Sequence, residues 1–291
     1  MFQGSMVALV TPMHPDGSVD FPALETLVEM HINAGTDAII AVGTTGESAT
    51  LSQKEHCEVV RFVVEKAAKR VPVIAGTGSN STIEAQELGL CAKDSGADAC
   101  LVVTPYYNKP TQQGLYEHYK YLAESVDLPL ILYNVPGRTA VDMLPETVEK
   151  LSHVKNIIGI KEATGSLERI AELAKLCGDG FEIYSGDDDL ALEAVAHGSC
   201  GVISVTANVA PARMHQVFAA ALAGNMDEAR SLNECLNALH NDLFLEANPI
   251  PVKWALKEMD LIQEGIRLPM TVLSESVRPQ LIKAMQQAQV I

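Results

Sequence analysis

The stretch Ile157-Ile158-Gly159-Ile160-Lys161-Glu162-Ala163-Thr164 sets three isoleucines and a glycine directly before a lysine. So short and β-branched a run reads as a strand, from which Lys161 projects instead of from a solvated loop. Under period-two alternation Lys161 shares a face with Gly159, which leaves room for its long stem. Lysine is almost never buried without a reason. Desolvation favours the free amine, the nucleophile needed to attack a ketone. A buried pair of Lys161 with Glu162 or Asp187 is the plainer reading, and position alone leaves both open.

Outward from this stretch the pattern repeats. Apolar runs over 6–10, 38–42, 71–75, 99–103, 130–133, 157–161, 182–184 and 201–205 read as eight strands. Between them, stretches such as 22–33, 53–69, 82–94 and 113–124 carry apolar residues at three- and four-residue spacing and read as helices. The strand runs are nearly continuous, as when protein covers both faces of a sheet. Gly35 and Gly96 fall where a helix ends and a strand begins, and Pro72 and Pro129 at strand starts. Eight β/α units of about 25–30 residues match an α/β fold of the (β/α)8 TIM-barrel type. A doubly wound open sheet also alternates β and α, but the count of eight and the lack of a GxGxxG turn favour the barrel. After about residue 224 the strands stop, and 226–246, 251–261 and 274–288 read as helices. The expected organisation is a catalytic barrel over 1–224 and a small all-helical appendage over 225–291.

Composition narrows the partners. The 291 residues are 47% hydrophobic and 20% charged, which argues against disorder, and the net charge of −16 disfavours nucleic acid and anionic membrane surfaces. Cys57, Cys91, Cys100, Cys177, Cys200 and Cys235 form no CxxC pair and read as small core residues in a reducing compartment. Residues 1–10 lack the charge pattern of a signal peptide, and no apolar run approaches the roughly 20 residues of a membrane span, so a cytoplasmic location is expected. The eight histidines contain no HExxH or HxxxH pair, and no metal or cofactor is expected. Asp187-Asp188-Asp189 precedes a helix-like run and reads as its cap. Gly76-Thr77-Gly78-Ser79 lacks the spacing of a phosphate loop.

In a TIM barrel the chemistry lies at the C-terminal strand ends. There the sequence places Gly43-Thr44-Thr45-Gly46-Glu47-Ser48, Thr104-Pro105-Tyr106-Tyr107-Asn108, Tyr133-Asn134-Val135-Pro136-Gly137-Arg138, Lys161-Glu162-Ala163-Thr164 and Ser185-Gly186-Asp187. Tyr133 can relay protons if another hydroxyl orients it, or it is a rim tyrosine bonded to backbone. Thr44 and Thr45 sit where backbone N–H groups can receive a carboxylate, or serve simple turn chemistry. Arg138, in a loop, can fork onto a substrate carboxylate, or is one more surface arginine. Tyr106-Tyr107 suits a subunit interface or a pocket rim.

Together these motifs, in order and spacing, resemble the dihydrodipicolinate synthase family from end to end, within the wider superfamily of pyruvate-dependent class I aldolases and N-acetylneuraminate lyases. The GTTGE loop at 43–47, the YNxPxR segment at 133–138 and a lysine 28 residues after the tyrosine carry the likeness. The resemblance implies condensation of pyruvate with L-aspartate semialdehyde through an imine on Lys161. Thr44 and Thr45 would hold the pyruvate carboxylate. Tyr133 would relay protons through Thr44 and through Tyr107 of a neighbouring subunit. Arg138 and Gly186 would take the aldehyde's carboxylate, with the Ile203 carbonyl close to the lysine. It also implies a homotetramer built as a dimer of dimers, and feedback inhibition by L-lysine at Ser48, Ala49, His56, Asn80, Glu84 and Tyr106. Gln53 stands where some inhibited relatives carry histidine, so inhibition is expected to be weaker. A lyase acting on N-acetylneuraminate or a keto-deoxy sugar acid shares the lysine, tyrosine and GxxGE loop, but Arg138 argues for a carboxylate-bearing aldehyde. A non-catalytic pyruvate- or lysine-sensing barrel would have no need of the proton relay.

Overall fold

The computed structural model describes residues 2–291. Strands β1 (Gly4–Ala8), β2 (Ala38–Ala41), β3 (Val73–Gly76), β4 (Ala99–Val103), β5 (Leu130–Asn134), β6 (Ile157–Glu162), β7 (Glu182–Ser185) and β8 (Gly201–Ser204) pair in chain order. All pairings are parallel and β8 returns to β1, so the sheet closes without an edge. This is the TIM barrel expected from eight apolar runs. Alternation divides each strand: Met6, Ile40, Ile74, Leu101, Ile131, Tyr133, Tyr184 and Ile203 fill the interior. Val7, Ile39, Val73, Val102, Leu132, Ile160 and Val202 face outward into a larger core shared with the helices.

Around the barrel run α1 (Phe21–Ala34), α2 (Gln53–Ala67), α3 (Thr82–Ser95), α4 (Gln112–Ser125), α5 (Pro136–Thr139), α6 (Pro145–Ser152), α7 (Leu167–Cys177), α8 (Ala191–Ala196) and α9 (Pro211–Leu222). Asp20, Ser52, Ser81, Thr111 and Ser166 cap five of them by accepting a backbone N–H of the first turn, each worth about 1 kcal/mol. Gly35 and Gly96 close α1 and α3 in the left-handed conformation (φ 80° and 84°), as their placement suggested.

The C-terminal part comprises α10 (Met226–Asn233), α11 (Asn237–Asp242), α12 (Ile250–Glu258) and α13 (Arg278–Gln287). The single helix expected over 226–246 is therefore split by a 3-10 turn at Glu234–Leu236 and ends at Asp242. It ends early because the chain must return to the strand ends, where Asn248 bonds Thr45 and Arg138. Leu236, Leu239, Leu243, Val252, Leu281 and Met285 join the outer core of the barrel. Among the described residues no helix is long and apolar enough to cross a membrane.

Three expectations change. Cys57 in α2 and Cys91 in α3, with Cα atoms 6.1 Å apart, are bonded to each other, so six free thiols become four. Asp187-Asp188-Asp189 does not cap α8, whose start has no side-chain cap. Instead Asp188 Oδ2 accepts the N–H groups of Val205 (2.8 Å) and Thr206 (3.0 Å), bolting β7 to the end of β8. Gly159 does not make room for the lysine stem: a Cβ there would lie 2.3 Å from the Glu182 carbonyl oxygen, so the close approach of β7 demands the glycine.

Three buried imidazoles give the fold an acid sensitivity. Burial pulls His31 down to about 3, and His56 and His118 to about 4. Each is neutral when folded, while the unfolded chain takes up the proton from about pH 6.5 downward. The unfolded state then binds more protons, so stability rises with pH across about 4 to 6.5 and falls on acidification. A loss on the order of several kcal/mol between about pH 7.5 and pH 5 is expected. Denaturant midpoints at the two pH values check it, and equal midpoints would contradict it.

Candidate active site

Lys161 on β6 lies in register between Tyr133 on β5 and Tyr184 on β7, facing the barrel interior. It is 6% exposed, and its Nζ sits 4.5 Å from the centre of the Tyr133 ring, a cation–π distance. Neither rival carboxylate pairs with it. Alternation turns Glu162 to the opposite face, where it accepts from Asn134 Nδ2 (3.2 Å) and Thr164 N (2.9 Å), and burial raises its pKa. Asp187 Oδ2 accepts from Gly165 N (3.0 Å); burial raises its pKa, and the charge of Lys161 opposes that rise from a distance. Among the described residues Lys161 thus has no ion-pair partner within 4.0 Å. A Cβ on Gly186, just past β7, would come 2.9 Å from Lys161 Cε. The room for the stem is therefore at Gly186. Ile203, on β8, is fully buried in the same interior cluster.

The loop after β2 is held tightly. Val42 and Glu47 bracket Gly43-Thr44-Thr45-Gly46 with φ of 54° and 58°, at a cost on the order of 1–3 kcal/mol each for such residues. A Cβ on Gly46 would meet the Val42 Cα at 2.9 Å. Thr11 Oγ1 donates to the Gly46 carbonyl (2.7 Å) and Asn248 Nδ2 to Thr45 Oγ1 (2.9 Å). Glu47 is buried on Lys253 of α12. These outside supports were missed in the sequence, although a lysine inside Ile250-Pro251-Val252-Lys253-Trp254-Ala255-Leu256 is itself a signal of a buried charge needing a partner.

Arg138 lies on the short α5 and not in a loop; it is exposed at the rim, with Nη2 donating to the Asn248 carbonyl (3.3 Å). Thr44 and Arg138 line a cavity of about 370 Å³, together with Ser48, Ala49, His56, Glu84 and Tyr106, and with Gln53. Asn80 is joined to this wall through its Nδ2, which donates to the Tyr106 carbonyl (3.1 Å). Tyr107 is 90% exposed, with φ 74°. The fold thus brings together Lys161, Tyr133 and Gly186, and separately Thr44, Arg138 and five of the six proposed inhibitor positions.

The fold and the site together define a TIM-barrel protein with a buried lysine, free of any ion pair among the described residues, at the C-terminal end of a strand. A family model described as the dihydrodipicolinate synthetase family matches residues 1–288. The 4-hydroxy-tetrahydrodipicolinate synthase of Methylococcus capsulatus is 64% identical over 291 residues, covering 100% of both chains. The chloride-inhibited dihydrodipicolinate synthase of Acinetobacter baumannii, complexed with pyruvate, superposes with a TM-score of 0.99 at 56% identity, covering 100% of both chains. The Cyanidioschyzon merolae enzyme with lysine bound superposes at 0.96 with 40% identity, covering 100% of this chain and 99% of that one. The chain belongs to the dihydrodipicolinate synthetase family and is an enzyme, a lyase.

Proposed function

We propose that the chain condenses pyruvate with L-aspartate 4-semialdehyde to 4-hydroxy-tetrahydrodipicolinate, the first committed step of diaminopimelate and lysine biosynthesis. The observation that carries this reading is Lys161, buried without an ion pair against the Tyr133 ring. Its amine attacks the ketone carbon of pyruvate, and loss of water leaves a protonated imine. That imine draws in the electrons of a methyl C–H bond as the proton leaves, giving an enamine. The enamine carbon then forms a bond to the aldehyde carbon, whose oxygen takes a proton. Finally the amine of the aldehyde-derived half attacks the imine carbon, closing the ring and expelling Lys161.

In this reading Thr44 and Thr45 hold the pyruvate carboxylate, and Arg138 and Gly186 the carboxylate of the aldehyde, with the Ile203 carbonyl beside the lysine. Tyr133 relays protons through Thr44 and through Tyr107 reaching in from another copy of the chain. The exposure of Tyr107 supports that sharing, and with it a homotetramer built as a dimer of dimers. The barrel over 1–224 supplies these groups, the appendage over 225–291 braces them, and the enzyme works in the cytoplasm. The test is borohydride reduction in the presence of pyruvate followed by peptide mapping. A stable adduct on Lys161 is expected; an adduct elsewhere, or none, would sink the mechanism.

L-Lysine acts as a feedback inhibitor in the same proposal, at Ser48, Ala49, His56, Asn80, Glu84 and Tyr106. Supporting it, Glu84 offers a carboxylate to an ammonium on the wall of the cavity, where among the described residues it accepts only from Ser79 Oγ at 2.5 Å. Turnover that is unchanged in millimolar L-lysine rules this out.

A further inference from the structure

The loop that presents Thr44 and Thr45 has backbone hydrogen bonds of its own, Gly46 N–H to the Gly43 carbonyl (3.0 Å) and Glu47 N–H to the Thr44 carbonyl (3.1 Å), but it also draws on support from outside. Its flanks, Val42 and Glu47, both adopt positive φ, which surrounding structure has to impose. Among the described residues, one long-range hydrogen bond to the loop comes from the barrel, Thr11 Oγ1 on the Gly46 carbonyl. The other three come from beyond residue 247: Asn248 on Thr45, Lys253 Nζ on Glu47 Oε1, and the Arg267 N–H on Glu47 Oε2 at 3.1 Å. The Arg267 guanidinium is committed elsewhere, to Glu55, the Thr50 carbonyl and the Gly17 carbonyl. Among the described residues Lys253 is thus the cation on Glu47, and the two are 4% and 5% exposed.

A buried ion pair is a poor device for stability, because desolvation offsets the attraction and an apolar pair serves as well. What it supplies is direction: two charged groups lock one side chain against one partner. Here that side chain is Glu47, two residues after Thr45. We infer that Glu47 and Lys253 form a positioning pair through which α12 sets the loop that receives the pyruvate carboxylate. Lys253 touches no substrate; it acts through the placement of Thr44 and Thr45. The inference rests on the reading that these threonines bind pyruvate.

The full-length enzyme carrying Lys253→Met tests it, beside Lys253→Arg and the double variant Glu47→Gln/Lys253→Met. In folded Lys253→Met the KM for pyruvate should rise at least about tenfold, while kcat and the KM for the aldehyde stay within about threefold. The pyruvate concentration giving half-maximal borohydride adduct on Lys161 should rise by the same factor. Lys253→Arg should recover part of the loss. The double variant leaves no unpaired buried charge, so it carries the test if the single variant does not fold, and it should keep the raised KM. A wild-type KM in the double variant, or in folded Lys253→Met, would make the pair merely structural and overturn the inference. Absence of a Lys161 adduct in the wild-type enzyme is a separate failure, of the catalytic reading itself, and takes this inference down with it.

Discussion

Lys161→Ala is expected to lower kcat/KM at least about 10³-fold while leaving a folded barrel, the largest effect of any single substitution in the chain. The rate loss follows from removing the covalent route of the proposed mechanism, in which each tenfold corresponds to about 1.4 kcal/mol of transition-state stabilisation. The survival of the fold follows from the surroundings of the lysine. Glu162 and Asp187 have other hydrogen-bond donors, so no carboxylate is stranded when the ammonium goes. The cost is then a cavity and one lost cation–π contact, about 1–3 kcal/mol. Had Lys161 been half of a buried ion pair, the same change would cost roughly 3–5 kcal/mol by leaving an uncompensated charge. Turnover and melting measured on one preparation separate the two, and near-normal turnover in a folded variant would refute the imine.

Most of the barrel was legible because a closed parallel sheet writes itself as apolar runs at regular intervals. All eight runs became strands, within two residues at each end. The largest slip, β1 at Gly4–Ala8 against 6–10, has a physical cause. Leu9 and Val10 continue the apolar run, but the Val10 N–H is taken by Asn208 Oδ1 instead of by a neighbouring strand. Leu9 still gives its N–H to the Ile40 carbonyl of β2 (3.0 Å), so it is at Val10 that hydrophobicity marks burial and not pairing. The site divides in the same way. Lys161, Tyr133 and Gly186 announce themselves by residue type at a strand end. The partners of the Thr44-Thr45 loop do not, because Asn248 and Lys253 reach it across 203 and 206 residues, and no local spacing encodes that. Gly159 was assigned the wrong reason: its lack of a side chain serves the neighbouring strand, and only three-dimensional contact separates that from space for the lysine.

Gly186→Ala is expected to reduce kcat/KM by about 10²-fold, and the comparison with Gly159→Ala shows why the two glycines are not equivalent. At Gly159 a methyl would strike a carbonyl oxygen of β7 at 2.3 Å, so strand pairing itself must yield and the fold suffers. At Gly186 the backbone suits an L-residue, and the new carbon meets Lys161 Cε at 2.9 Å and the Ala163 Cβ at 2.6 Å. The lysine stem is the softer neighbour and moves aside, carrying its nitrogen off the line to the ketone. A displacement of about 1 Å of a reacting group is enough for a loss of that size. The rate of imine trapping by borohydride should therefore fall in parallel with turnover, while the melting temperature drops by only a few degrees, as for a change of about 1–2 kcal/mol. A variant that traps pyruvate at the normal rate would mean that the lysine has room from elsewhere in the barrel. A variant too unstable to purify would mean that Ala163, not Lys161, is the neighbour that cannot move.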